Sequence, residues 1–191
     1  MSPHGIPTEY NALRFRSRLE ATWARFFDAM EWPWKYEPFD YEGYIPDFVL
    51  LMPHGNILVE VKPELSLTDL RRHTSPIDRS PWEKEALVLG VGLVIDPDVG
   101  YPGALGLHGH FDYWHHDGSP RQRAWERADL HRCACCHHAS FHSVYGSYHC
   151  RWRGCHDGDG YLVSDAEGFG RTWHLAQNLV QWAPRTFGAE R

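Results

Sequence analysis

Pro46-Asp47 stands at the head of an apolar run, Phe48–Met52, and after a short turn the chain reads Val59-Glu60-Val61-Lys62. Two carboxylates and an ammonium at this spacing can hold a divalent cation beside a scissile phosphate. Hard cations take oxygen ligands, and a neighbouring lysine offsets charge that builds on phosphorus. Charged side chains between valines in a strand are costly to bury unless something pairs them, so the plain alternative is a Glu60–Lys62 ion pair with no chemical role.

The elements that must position these groups can be read from periodicity. Phe48-Val49-Leu50-Leu51-Met52 and Ile57-Leu58-Val59-Glu60-Val61 are β-rich apolar runs, and Pro53-His54-Gly55-Asn56 between them carries turn chemistry. Alternate side chains of a strand share a face, so Glu60 and Lys62 point one way and Val59 and Val61 the other. Pairing about the turn brings Asp47 to the level of Glu60 and Lys62. Upstream, Ser17-Arg18-Leu19-Glu20 has capping-box spacing and opens a stretch with Leu19, Trp23, Phe26, Phe27 and Met30 at helical intervals. Glu20 therefore has two open readings: a capping group, and a third carboxylate that reaches the metal site directly or through water.

A glutamate on a first helix, then Pro46-Asp47-Phe48, then Val59-Glu60-Val61-Lys62 resembles the PD-(D/E)XK nuclease superfamily. The likeness includes its transposon-end and phage-type members, whose sequences carry tyrosine, serine and glutamate on the first helix, then PDF, then VEVK. It covers about residues 10–95, roughly half of the chain. It implies a restriction-endonuclease-like core of helix, three strands, helix and strand, that is, an α/β fold with a mixed sheet. It also implies hydrolysis of phosphodiester bonds, expected in DNA. Asp47 and Glu60 would bind Mg²⁺ (or Mn²⁺), with the Val61 carbonyl as a further ligand. Lys62 would orient the attacking water, and Glu20 would help to hold the metal or its water.

The remaining segments can be laid along that core. Residues 34–39 read as a first strand, 66–72 as a short helix capped by Ser66, and 81–85 as another helix with Pro81 in its first turn. Residues 86–91 form a buried-type strand and 104–108 a further one. Residues 121–127 read as a helix leading into Cys133, and 168–182 resume helical spacing as a closing helix.

All five cysteines fall between Cys133 and Cys155. Cys133-x-x-Cys136 and Cys150-x-x-x-x-Cys155 give two chelating pairs, the thiolate set that a structural Zn²⁺ takes in a zinc ribbon. Cys135 is spare, and His137, His138, His142, His149 and His156 crowd the same segment as substitute ligands. Disulfides are the competing reading. An odd cysteine count and no apolar leader favour a reducing compartment, with the cytoplasm as the expectation. No apolar run approaches the length of a membrane helix.

The net charge of -6 is unfavourable for a nucleic-acid binder, and only local clusters oppose it. Arg14 and Arg16 precede the first helix, Arg71-Arg72 follow the hairpin, and Arg151 and Arg153 flank Trp152; these are the candidate phosphate contacts. Trp152 reads equally as a stacking surface or as a cap on the small cysteine core. Weak intrinsic DNA affinity is expected, supplemented by a homodimer or a protein partner. The boundary falls at Asp117-Gly118-Ser119-Pro120, dividing a nuclease-like core over 1–117 from a zinc-ribbon-like module over 118–191. The alternative function is a non-catalytic, zinc-containing module that binds nucleic acid or protein.

Overall fold

The computed structural model describes residues 5–53, 55–95, 102–111, 122–143, 150–152, 155, 162–163 and 165–180. The elements are β1 (Thr8–Tyr10), β2 (Leu13–Phe15), α1 (Arg18–Ala29), β3 (Trp34–Tyr36), β4 (Phe48–Met52) and β5 (Gly55–Val61). They continue with α2 (Leu67–Leu70), a 3₁₀ turn (Arg71–His73), α3 (Ser75–Arg79), β6 (Ala86–Ile95), β7 (Pro102–Phe111), β8 (Arg123–Cys133), β9 (Ala139–Ser143), β10 (Leu162–Val163) and α4 (Ala166–Leu179). β1 and β2 form a small hairpin of their own.

The main sheet is mixed and eight-stranded, in the order β10-β8-β7-β6-β5-β4-β3 with β9 also paired to β8. β5 and β6 run parallel and the other pairs are antiparallel. The parallel pair needs a crossover, which α2, the 3₁₀ turn and α3 supply across one face. Leu70, Ile77 and Trp82 on that side bury Val49, Leu58, Ala86, Val88 and Leu107. The opposite face carries the larger core, where Trp23, Phe26 and Phe27 of α1 and Phe169 and Trp173 of α4 lie on Phe48, Leu50, Val59, Leu87 and Leu105. The Trp23 and Trp173 rings meet at 4.4 Å, which joins the two helices.

The expected capping box is present in altered form. Ser17 Oγ accepts the Glu20 N–H at 3.1 Å, but the Glu20 carboxylate turns to the Arg16 N–H at 3.2 Å instead of that of Ser17. The other end of α1 closes with a Schellman turn: Trp32 N–H donates to Phe27 O at 2.9 Å and Glu31 N–H to Asp28 O at 3.1 Å. Glu31 adopts the left-handed φ of 59° that this turn requires, and the Trp32 ring packs on Phe27.

Two expected elements differ. Residues 81–85 are not helical; the helix is α3, just upstream. Pro81 holds Ser80 in extended backbone, φ -74° and ψ 160°, which ends the helix before the proline. The helix expected over 121–127 is replaced by the start of β8, whose alternate residues Arg123 and Trp125 reach Asp78 together. Pairing with β7 outweighs local propensity there. A bulge in β7 sits at Gly106, where a Cβ would stand 2.3 Å from the Val88 carbonyl oxygen. The boundary expected at 117–120 lies outside the described residues; β7 and β8, on either side of it, are hydrogen-bonded neighbours. Among the described residues no helix is long and apolar enough to cross a membrane.

Glu31 holds a left-handed backbone without glycine's freedom, so Glu31→Gly is expected to raise stability by roughly 0.5–1 kcal/mol in chemical denaturation. A loss of that size would mean that the Glu31 carboxylate, 3.5 Å from His138 Nε2, contributes more than the turn strain removes.

Candidate functional site

The β4–β5 register sets the site. Phe48 pairs with Val59, so the next position outward sets Asp47 opposite Glu60 on one face, as the alternation predicts. The Val61 N–H, unused by β4, donates to Asp47 Oδ2 at 2.7 Å. Both carboxylates are nearly out of water, Asp47 at 2 % exposure and Glu60 at 6 %. Lys62, two residues along the strand, pairs its Nζ with Glu60 Oε1, and Tyr44 donates its hydroxyl to Glu60 Oε2 at 3.0 Å.

Glu20 reaches the same region from the start of α1. It accepts from Tyr36 Oη at 2.6 Å and from Ser17 Oγ at 2.8 Å. Arg16 joins it to the rest: Nη2 donates to Asp47 Oδ1 at 2.5 Å, and Nε lies 2.8 Å from Glu37 Oε1 and 4.0 Å from Glu20 Oε2. Four carboxylates (Glu20, Glu37, Asp47, Glu60) thus face two cations (Arg16, Lys62), a surplus of two negative charges when all are ionised. Burial, then the charge of Glu60, pushes the Asp47 carboxyl up to about 7, against the pull of Lys62 and the Val61 N–H. Burial and Glu60 likewise push up the Tyr44 hydroxyl and keep it a donor. Lys62 stays an ammonium because Glu60 and Asp47 outweigh the opposing effect of its burial. Two buried carboxylates amid a surplus of negative charge have the chemistry that a divalent cation takes, and Asp47 and Glu60 are the groups that would hold one, although each of their four oxygens already has a donor in the protein.

Sequence reasoning missed Tyr36, Glu37 and Tyr44. The two tyrosines and Pro46-Asp47 are close in sequence, but hydroxyl donation to a carboxylate leaves no periodic signal. Apart from the carboxylates, a cavity of about 570 Å³ is lined by residues that include Asp78, Trp82, Phe111 and Arg123. The Arg123 charge is near enough to Tyr44 to oppose, in small part, the rise of its hydroxyl.

Apart from Arg16, the expected phosphate-binding arginines have different surroundings. Arg14 is exposed on β2 and Arg72 is 73 % exposed beside Asp69, whereas Arg71 donates to Trp125 O at 2.9 Å. Arg151 turns inward: it bonds Glu85 Oε2 at 2.5 Å and Phe141 O at 2.9 Å, with its guanidinium 4.2 Å above the Phe141 ring. Arg153, His149 and His156 lie outside the described residues. Trp152 also faces the protein, donating to Ala139 O at 3.0 Å and stacking on His138 at 4.1 Å.

The cysteine cluster forms at the end of the β8–β9 hairpin. Cys133 and Cys155 sulfurs are 3.4 Å apart and those of Cys136 and Cys150 3.5 Å, and all four Sγ atoms lie within 4.8 Å of one another. These spacings exceed a disulfide bond of about 2.05 Å and approach the edge of about 3.8 Å for a tetrahedron with metal–sulfur bonds of about 2.3 Å. The turn between Cys133 and Cys136 is closed by His137 N–H on Cys133 O at 2.9 Å, with His137 at a left-handed φ of 60°. Burial favours the Cys133 thiol, yet the N–H groups of Cys136 and Cys135 and the Cys155 thiol bring it down to about 7. The four cysteines can hold a metal ion such as zinc, while Cys135 is exposed and outside the group.

The raised Asp47 carboxyl has a consequence for stability. The folded protein holds this proton more tightly than the unfolded chain, so its contribution falls as pH rises from about 4 to about 7 and then levels off. In protein dialysed free of Mg²⁺, Asp47→Asn should therefore be more stable than wild type above about pH 7 by about 1–3 kcal/mol, with the difference shrinking towards about pH 4. Urea denaturation across that range checks this; a wild-type advantage that grows with pH would contradict it.

Comparison of the chain with models of known families, with curated proteins and with solved structures gives no match, so the roles of these residues rest on their geometry.

Proposed function

We propose that the protein is a metal-dependent nuclease that hydrolyses phosphodiester bonds in DNA. The observation that carries this reading is the pairing of buried Asp47 with buried Glu60 across β4 and β5, with Lys62 on the same face. The order α1, β3, β4, β5, α2–α3, β6, with β5 parallel to β6, agrees with the helix, three-strand, helix, strand core of PD-(D/E)XK nucleases and supports the reading.

Asp47 and Glu60, with the Val61 carbonyl as a further ligand, would hold Mg²⁺ or Mn²⁺, and the ion would supply charge neutralisation at the phosphate and an acidified water. The protein's own groups do the rest. The Val61 N–H and the Tyr44 hydroxyl fix the two carboxylates before substrate arrives. Lys62, kept charged by Glu60 and Asp47, orients the attacking water and stabilises the phosphorane-like charge. Glu20, aimed by Tyr36 and Ser17, steadies the inner edge of the site. Arg14, Arg71 and Arg72 offer exposed contacts for the DNA backbone. With a net charge of -6, further affinity comes from a second copy or a partner protein. The four-cysteine cluster holds structural Zn²⁺, which braces the hairpin end where Trp32 and Trp152 share the Ala139 carbonyl.

Among plasmid, linear, single-stranded and branched DNA, at least one substrate should be cut with Mg²⁺ or Mn²⁺ and left intact with chelator. Glu60→Ala and Lys62→Ala should each lose at least about 10²-fold in rate with unchanged circular dichroism. DNA binding without cutting by the wild type would favour the non-catalytic alternative. Metal analysis of purified protein should give one equivalent of zinc, lost in Cys136→Ser and kept in Cys135→Ser. Less than about half an equivalent in the wild type would remove the structural ion.

A further inference from the structure

Arg16 is placed where a nucleic-acid contact is not free to act. It leaves β2 just after Phe15, whose buried ring fixes the backbone, and its own side chain is 54 % exposed. The guanidinium gives Nη2 to Asp47 Oδ1 and Nε to Glu37, while the Val61 N–H already occupies Asp47 Oδ2. Each oxygen of the buried aspartate thus has a close donor, and of the two only Arg16 can leave without breaking the sheet. A half-exposed arginine can swing on its flexible stem at little cost, whereas the Val61 amide belongs to β5.

Resting on the nuclease reading above, we propose that Arg16 is a metal-displaced phosphate ligand: it neutralises Asp47 until a divalent cation takes Oδ1, and the released guanidinium then binds a backbone phosphate of the DNA next to the cleavage site. Cation binding and DNA binding are coupled through this one side chain. Guanidinium suits both stations, because its planar donor fork matches carboxylate and phosphate alike. By linkage, DNA that holds Arg16 away from Asp47 raises affinity for the cation by the same factor that the cation raises affinity for DNA.

The test uses zinc-loaded, full-length protein and two measurements. Mn²⁺ affinity is read by titration calorimetry in wild type, Arg16→Met, Arg16→Gln and Glu60→Ala. Lys35→Met is the charge control, since Lys35 forms no ion pair with these carboxylates among the described residues. The affinity of a short fluorescent duplex is read by anisotropy in buffer freed of divalent cations beforehand and in Ca²⁺. Both Arg16 variants are expected to bind Mn²⁺ about tenfold more tightly than wild type, with Lys35→Met within about twofold. In Ca²⁺ they should lose DNA affinity by about threefold to tenfold, and their salt slope should fall by about one. Without divalent cation they should match wild type. Equal or weaker Mn²⁺ binding by both Arg16 variants, or an equal loss of DNA affinity with and without Ca²⁺, overturns the role of Arg16. If Glu60→Ala binds Mn²⁺ as tightly as wild type, the carboxylate site itself falls, and the coupling with it. Arg16→Gln keeps a polar group towards Glu37, so it decides the matter if Arg16→Met folds poorly.

Discussion

The register of β4 against β5 is the constraint on which the rest depends. With Phe48 opposite Val59, Asp47 and Glu60 meet on the face away from α1, and the Val61 amide that would otherwise go unpaired finds Asp47. A slip of one residue would send every side chain of β4 to the other face, Asp47 into the aromatic core and Phe48 into the site. That core resists the slip. Phe48 touches Phe15, Phe27, Trp34 and Tyr36 with ring centroids between 5.3 and 6.1 Å, so the hydrophobic face of the hairpin fixes the polar one.

Packing on one face therefore supports electrostatic strain on the other. Like charges are held together at Asp47 and Glu60, where burial strengthens their repulsion, and Arg16, Lys62 and Tyr44 relieve it only in part. Such a site is unfavourable for the fold. The cysteine centre is tied to the same framework. Arg151, one residue after Cys150, bonds Glu85 at the entry to β6, the parallel neighbour of β5. Trp32, three residues past the end of α1, donates to Ala139 at 3.0 Å and meets Phe141 of β9 at 5.7 Å. The hairpin that carries the thiols thus shares residues with the core beneath the carboxylates.

What the sequence disclosed was what local rules control. The apolar alternation of β4 and β5, the Ser17–Glu20 cap and the Cys133-x-x-Cys136 spacing each follow from a few adjacent residues, and each is found in the structure. What it concealed was decided by distant partners. Arg123 and Trp125 read as helical until β7 and Asp78 claim them. Arg151 has the sequence context of a surface cation, yet Glu85, 66 residues away, draws it inside. Arg16 is basic and exposed in any local reading, and only the fold reveals three carboxylates around it. Pro81 was the exception, a local signal whose effect fell on the preceding residue and not on a helix after it.

Crystals of the zinc-loaded protein soaked in Mn²⁺ and recorded at the manganese absorption edge test the central claim most directly. An anomalous peak is expected between the Asp47 and Glu60 carboxylates at oxygen distances of about 2.1–2.3 Å, absent from crystals of Glu60→Ala. Crystals that take up manganese elsewhere while Asp47 and Glu60 keep only their protein partners would contradict it.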